Sequence, residues 1–83
     1  MRSTENVDMT PEQCRAARAL IAMTQPALAE VAGLGLSTVV DHEKARRAVS
    51  PAAIAAMQAA LEAAGVVFLP ENGNGPGVAI RKG

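Results

Sequence analysis

Residues 25–44 read QPALAEVAGLGLSTVVDHEK, and this stretch decides the fold. Thr24 is a favourable N-cap for a short helix, whose apolar residues then follow at helical spacing. Gly33 ends that helix as a left-handed C-cap, which lets the chain reverse within a few residues. Residues 36–44 contain Val and Thr, whose helix propensity is mediocre, so periodicity alone leaves this segment undecided between helix and strand.

Strong helix signals lie on both sides of this stretch. Thr10-Pro11-Glu12-Gln13 is a capping box, and the helix that it begins is expected to end near Ala22 or Met23. Ser50-Pro51 begins another helix, which Gly65 ends. In the first helix the predicted apolar face is Cys14, Ala17, Leu20 and Ile21, and Arg15 and Arg18 point elsewhere. In the last helix the predicted apolar face is Ile54, Met57, Leu61 and Ala64.

After Gly65 the pattern changes from helix to strand. Residues 66–69 (VVFL) and 78–81 (VAIR) are rich in β-forming side chains and flank a stretch with two Asn-Gly pairs. They predict a β-hairpin. An isolated two-stranded hairpin is marginal in water, and its open edges can be completed by the same hairpin of a second subunit.

The composition predicts one small domain with a core of small side chains. The 83 residues are 49% apolar, but Phe68 is the only aromatic residue. A chain of this length has a marginal core, for which dimerisation is a common remedy. No apolar run is long enough to span a membrane, and residues 1–8 lack the apolar region of a signal peptide. We expect a flexible N-terminal tail over residues 1–8 and a cytoplasmic protein.

Few side chains are available for catalysis or metal binding. Cys14 and His42 are each the only residue of their kind, so we interpret both as packing residues and expect no disulfide and no metal. Glu12 and Glu30 are not paired with a nucleophile. The glycine-rich loop of residues 73–77 precedes a strand and not a helix, so it lacks the setting of a phosphate-binding loop. We expect no enzyme activity and no cofactor.

The charges balance overall but are not evenly distributed. The net charge is zero, which counts against a nonspecific nucleic-acid coat but not against a sequence-specific reader. Lys44, Arg46 and Arg47 fall within four residues with no acid between them. They form the densest basic cluster in the chain, which we call the basic cluster.

The stretch from Gln25 to Lys44 resembles the helix-turn-helix of lambda-repressor-like, or Xre-type, regulators. The residues that carry the resemblance are Gln25, Leu28-Ala29, Ala32-Gly33, Ser37-Thr38-Val39 and Glu43. The capping box and Ser50-Pro51 also fit that pattern. Residues 59–66 and 70–73 resemble an alphaproteobacterial branch with a C-terminal hairpin, so the resemblance covers residues 9–82.

The resemblance implies a mainly α fold and a dimeric DNA-binding function. Residues 9–65 would form a four-helix helix-turn-helix domain, and residues 66–83 a hairpin that serves as the dimerisation element. Ala29 would be small because the third helix crosses the second there, and Val39 and His42 would point inward. The implied function is sequence-specific binding of double-stranded DNA by a homodimer, at an inverted-repeat operator, to regulate transcription.

The implied site residues fall into two groups. The outward face of the third helix would enter the major groove, while the start of the second helix and the basic cluster would contact phosphates. The implied DNA-binding residues are Gln25, Leu36, Ser37, Thr38, Val40, Asp41, Lys44, Arg46 and Arg47. The implied dimer-interface residues are Val66, Phe68, Leu69, Val78 and Ile80.

An alternative function follows from the composition of the third helix. Arg, Lys, Asn and Gln most often read base edges, but this helix offers Ser37 and Thr38 for that role, with Leu36 able only to touch a thymine methyl group. Asp41 can accept a hydrogen bond from cytosine, but a carboxylate near phosphates is more often repulsive. The alternative is a protein-interaction module, such as an antitoxin-like or anti-activator protein, built on the same scaffold.

Overall fold

The computed structural model describes residues 9–81. These residues form four helices and a hairpin: α1 (Pro11–Leu20), α2 (Gln25–Ala32), α3 (Leu36–Glu43), α4 (Pro51–Ala63), β1 (Val66–Leu69) and β2 (Gly77–Ile80). The predicted class, mainly α with four helices and a C-terminal antiparallel hairpin, is confirmed. The predicted tail over residues 1–8 and the last two residues of the predicted hairpin segment lie outside the described residues. Within residues 9–81, no helix combines the length and the apolar character needed to cross a membrane.

Three of the helices begin where a side-chain hydroxyl caps the first turn. Thr10, Thr24 and Ser50 each accept the backbone N–H of the residue three positions later, at 3.0–3.1 Å. Oε1 of Gln13 in turn accepts a hydrogen bond from the backbone N–H of Thr10, which completes the predicted capping box. α3 has no such cap, because Gly35 precedes it. Tertiary packing must therefore hold this segment as a helix, since its local signals were undecided.

Left-handed residues follow all four helices. Gly33 after α2 has φ 72° and Gly65 after α4 has φ 105°, as the sequence predicted. Ala22 and Ala45 both take φ 53° after α1 and α3. A residue with a β-carbon pays about 1–2 kcal/mol for this conformation, so both alanines are costly. α1 itself ends at Leu20, slightly earlier than predicted.

The core consists of small and medium side chains. α2 packs against both α3 and α4. The buried apolar set contains Met, Leu, Val, Cys and Ala but no aromatic residue, since Phe68 is half-buried. Ala29 is buried, as a close crossing of helices requires. Leu20 and Ala64 are exposed, so their predicted core positions are wrong; both lie at the ends of their helices, where little of the neighbouring elements remains to cover them.

The two strands form one antiparallel pair. Val66 lies opposite Ile80, and Leu69 lies opposite Gly77. β2 therefore begins one residue earlier than predicted and ends before Arg81. The N–H of Arg81 still donates to the carbonyl oxygen of Gly65 at 2.7 Å, which extends the ladder by one more pair.

The hairpin docks on α1 and α4 of its own chain. Val66 is 1% exposed, and Phe68 and Val78 pack against the core. Gln13 of α1 is buried and donates from Nε2 to the carbonyl oxygens of the strand pair nearest the loop, 3.0 Å to Gly77 and 3.5 Å to Leu69. The same side chain thus caps α1 and secures the hairpin.

Candidate nucleic-acid interface

α3 is anchored by one face and leaves the other open. Val39, His42 and Glu43 lie at helical spacing on the inward face and are between 0% and 7% exposed. The inward positions of Val39 and His42 were predicted. Nε2 of His42 donates to the carbonyl oxygen of Met9 at 3.1 Å, which ties α3 to the segment that precedes α1.

The outward face of α3 carries small polar and apolar side chains. Leu36, at the first position of the helix, is 47% exposed. Ser37 is exposed, while Thr38 and Val40 are half-buried. The hydrogen-bonding side chains in its first turn are therefore hydroxyls, and its most exposed apolar group is the Leu36 side chain.

The basic cluster is exposed, but two of its arginines form ion pairs with Asp41 of α3. Nε of Arg47 donates to Oδ2 of Asp41 at 2.8 Å, and Nη1 of Arg46 lies 3.8 Å from Oδ1 of the same carboxylate. Lys44 is exposed as well. Asp41, a predicted DNA-binding residue, thus offsets some of the cluster's positive charge and positions it beside the end of α3.

A buried carboxylate joins the first three helices. Glu43 accepts two hydrogen bonds from Arg18, 2.6 Å from Nε and 2.7 Å from Nη2. Nε2 of Gln25 donates to it at 3.0 Å, and Sγ of Cys14 donates at 3.0 Å. We call these four side chains the buried network; they come from α1, α2 and α3.

The surroundings of the buried network shift the pKa of its members. Burial by itself would raise the pKa of the Glu43 carboxyl, but hydrogen bonds from Arg18, Cys14 and Gln25 together lower it below its ordinary value. The hydrogen bond to Glu43 raises the pKa of Arg18. Burial and, next, the hydrogen bond to Glu43 raise the pKa of the Cys14 thiol. Glu43 is therefore a carboxylate, and Cys14 a neutral and unreactive thiol.

Sequence reasoning missed this network. Arg18 was predicted to point away from the core, which is wrong, because its guanidinium reaches Glu43 across 25 positions of sequence. The signal that could have indicated an inward Glu43 is its spacing of four residues from Val39. Nothing local identifies Arg18 as its partner.

Gln25 lies where α2 begins and is half-buried. One hydrogen of its side-chain amide is committed to Glu43, which leaves the second hydrogen for another acceptor. The network therefore fixes the direction of this side chain. Its predicted contact with a DNA phosphate stays a prediction.

A cleft of about 490 Å³ opens beside the buried network. Nη1 of Arg15 donates to the backbone carbonyl oxygen of Glu43 there, and its Nη2 lies 4.0 Å from the carboxylate of Glu12. The charged and amide side chains that line the cleft are Glu12, Arg15, Arg18, Gln25, Glu43 and Lys44. Because the cations outnumber the carboxylates, the start of α2 borders a weakly positive surface.

The predicted dimer-interface residues divide into buried and exposed ones. Val66 belongs to the core of its own chain and has no surface to offer, which corrects its assignment to the interface. Phe68 and Val78 are partly covered by the same core. The exposed apolar side chains of the hairpin are Val67, Leu69 and Ile80, at 37%, 42% and 49%.

No metal-ligand group is found in the part of the chain that the structure describes: no three His, Cys, Asp or Glu residues there could hold an ion together. A scan of the chain against models of protein families gives no match, and a search of curated proteins gives none either. What the site does must be inferred from its own geometry and charge.

Proposed function

We propose that this chain is a sequence-specific, DNA-binding transcriptional regulator of the helix-turn-helix type, which binds an inverted-repeat operator as a homodimer. The observation that carries the proposal is the setting of α3. Val39, His42 and Glu43 are buried and anchor the inward face of the helix to the core. Its opposite face is open, and the basic cluster follows directly after its C-terminal end. A helix of this kind fits the major groove of B-form DNA.

The first turn of α3 supplies the groups that read bases. The hydroxyls of Ser37 and Thr38 both donate and accept hydrogen bonds, so they match several base edges. Leu36 offers an apolar surface that fits the methyl group of thymine. These groups discriminate modestly, and the basic cluster with the start of α2 supplies most of the affinity through phosphates.

The test is to capture fragmented DNA from the source genome on the purified full chain and sequence what is retained. We expect a recurring inverted repeat whose half-sites lie about 34 Å apart, because two recognition helices of a dimer enter successive major grooves. A flat profile from folded protein would refute the proposal.

Two substitutions separate phosphate contacts from base contacts. Arg46→Ala should weaken binding to all DNA equally and lower the slope of log affinity against log salt by about 0.9 for each lost contact. Thr38→Ala should instead change the preference between sequences. Arg81→Ala, which removes an exposed cation from the end of the hairpin, is the matched control; at a chain concentration at which it is dimeric, it should leave both quantities unchanged.

The ion pairs of Asp41 give a further test. Asp41→Asn removes a carboxylate from the DNA-facing surface and releases Arg46 and Arg47, so it should tighten binding and steepen the salt dependence. Glu30→Gln, an exposed acid of α2, is the control. An unchanged affinity in Asp41→Asn would mean that the basic cluster does not face the DNA.

The second candidate is a protein-interaction module on the same scaffold. The specific observation in its favour is that Asp41 already pairs with Arg47 and Arg46, which partly neutralises the flank of α3, a helix with few side-chain donors of its own. Such a protein would show a flat DNA profile but retain a protein partner. The apolar side chain of Leu36 would then lie in a protein interface.

A further inference from the structure

One edge of the hairpin has unpaired peptide groups. Arg81 donates to Gly65, so these two residues form a hydrogen-bonded pair. Because such pairs alternate with non-hydrogen-bonded pairs in an antiparallel ladder, Ala79 also bonds to its opposite residue. The N–H and C=O groups of Val78 and Ile80 therefore point away from β1. Within residues 9–81, no other group forms hydrogen bonds with them.

The outer edge of β1 is different. The same alternation directs the peptide groups of Val66 to that edge, but Val66 is 1% exposed, so its own chain covers the edge there. Ile80 on the edge of β2 is 49% exposed, more than any other large apolar residue of the hairpin. At Ile80 the edge of β2 is therefore more accessible than the edge of β1 is at Val66.

The residues of β2 itself do not protect this edge. Soluble proteins guard exposed strand edges with charged residues, prolines, bulges or a covering element. β2 consists of Gly77, Val78, Ala79 and Ile80, with no charge and no proline. A strand without charges can pair with a copy of itself without like-charge repulsion along its length, since Arg81 follows only at its end.

We propose that β2 pairs antiparallel with β2 of a second copy, about a two-fold axis at Ala79, to give a four-stranded sheet. This deepens the proposed function, since it places the interface of the proposed homodimer. The outward N–H and C=O groups of Val78 then form two hydrogen bonds with those of Ile80 in the second copy. Ile80 forms two more with Val78 of the second copy, which makes four hydrogen bonds in all.

The side chains fit this register. Val78 and Ile80 share one face of the strand, so the exposed Ile80 comes to lie beside Val78 of the second copy and is covered by it. The two copies of Ala79 meet at a non-hydrogen-bonded position, where strands approach most closely and a methyl group is small enough. Arg81 faces Gly77 of the second copy, which has no side chain to obstruct it.

Cysteine cross-linking of the full chain tests the register. Ala79→Cys places two thiols at the axis, within disulfide reach, so oxidation should convert the chain to a covalent dimer on a non-reducing gel. Val67→Cys is the matched control, because it lies on the same face but on β1. Three strand spacings, roughly 14 Å, would separate its copies, too far for a disulfide. Buried Cys14 does not compete for oxidation.

Ile80→Pro tests the hydrogen bonds. It removes an outward N–H and leaves the ladder within the hairpin intact, so the dimer should dissociate at about tenfold higher concentration or more in analytical ultracentrifugation, with an unchanged circular dichroism spectrum. Cross-linking of Val67→Cys as efficient as that of Ala79→Cys would overturn the proposal in favour of face-to-face packing, and a monomeric wild-type chain would also overturn it. A monomer that still selects an operator would refute the β2 pairing alone, whereas a cross-linked dimer that binds no DNA would support it and refute the DNA-binding function.

Discussion

Replacing Glu43 with glutamine keeps the size of the side chain but removes the negative charge at the centre of the buried network. The wild-type carboxylate accepts hydrogen bonds from Arg18, Gln25 and Cys14 at 2.6–3.0 Å. A glutamine in its place has one oxygen and an NH₂ group, and the NH₂ group faces donors. Arg18 then keeps its positive charge without a counter-ion.

The magnitude follows from burial. The side chain of Glu43 is 1% exposed and that of Arg18 is 19% exposed. Removing one partner of a buried ion pair costs about 3–5 kcal/mol. Because Arg18 retains some solvent contact and a hydrogen bond to the carbonyl oxygen of Met23, we expect the lower end, about 3 kcal/mol. For a domain of this size, that corresponds to a fall in Tm of about 12–24 °C.

The assay is urea and thermal unfolding followed by circular dichroism, at one fixed chain concentration because a dimer's stability depends on it. Glu30→Gln is the control and should stay within about 0.5 kcal/mol of wild type, since Glu30 is exposed. A free energy of unfolding of Glu43→Gln within about 1 kcal/mol of that of wild type at pH 7 would contradict the assigned role of the charge.

The pH dependence provides a second check. Because folding lowers the pKa of Glu43, its stabilisation is complete above the pKa of an unfolded carboxyl, about 4.3, and is lost as the pH falls through the lower folded pKa. The difference between wild type and Glu43→Gln should therefore shrink below about pH 4. A difference that persists in strong acid would assign the cost to packing and not to charge.

Three further predictions use the same measurements or a simple binding assay. Because folding raises the pKa of the Cys14 thiol, the wild type should lose about 1.4 kcal/mol per pH unit above about pH 8.5, and Cys14→Ser should not. Ala45→Gly should stabilise the chain by about 0.5–1 kcal/mol, whereas Gly33→Ala should destabilise it by at least about 1 kcal/mol, since both positions have positive φ. Replacing thymine by uracil at the contacted base of a captured operator removes only the methyl group, so it should weaken binding of the wild type about fourfold. The affinity of Leu36→Ala should not change, since that variant lacks the side chain that contacts the methyl group.

The sequence predicted best the features that depend on neighbouring residues. The helix starts at Thr10, Thr24 and Ser50 follow from hydroxyls that bond to a backbone N–H three positions away. The end of α2 follows from a glycine that tolerates positive φ. Val66–Leu69 was predicted as a strand from its side chains alone. Each of these signals acts within a few residues and is visible in the sequence.

The features that could not be predicted depend on residues that are far apart in sequence. Glu43 meets Arg18, Gln25 and Cys14, which precede it by 18 to 29 positions. The burial of Val66 depends on where the hairpin folds back on α1 and α4. Asp41 was predicted to face DNA, but whether its carboxylate turns to a base or to Arg47 depends on the path of the chain after α3. No local rule sets that path.

The buried network links the stability of this domain to the orientation of its candidate reading helix. A core made largely of Ala, Val and Leu has few bulky shapes that fit in only one way, so helices can shift against one another at small cost. Hydrogen bonds to Glu43 are directional, and they fix α1, α2 and α3 at one point, directly before Lys44 and the rest of the basic cluster. A change at Glu43 should therefore alter the placing of α3 as well as the free energy of unfolding. Loss of DNA binding in a Glu43→Gln chain that is still folded at the assay temperature would have this physical cause, although Glu43 itself contacts no DNA.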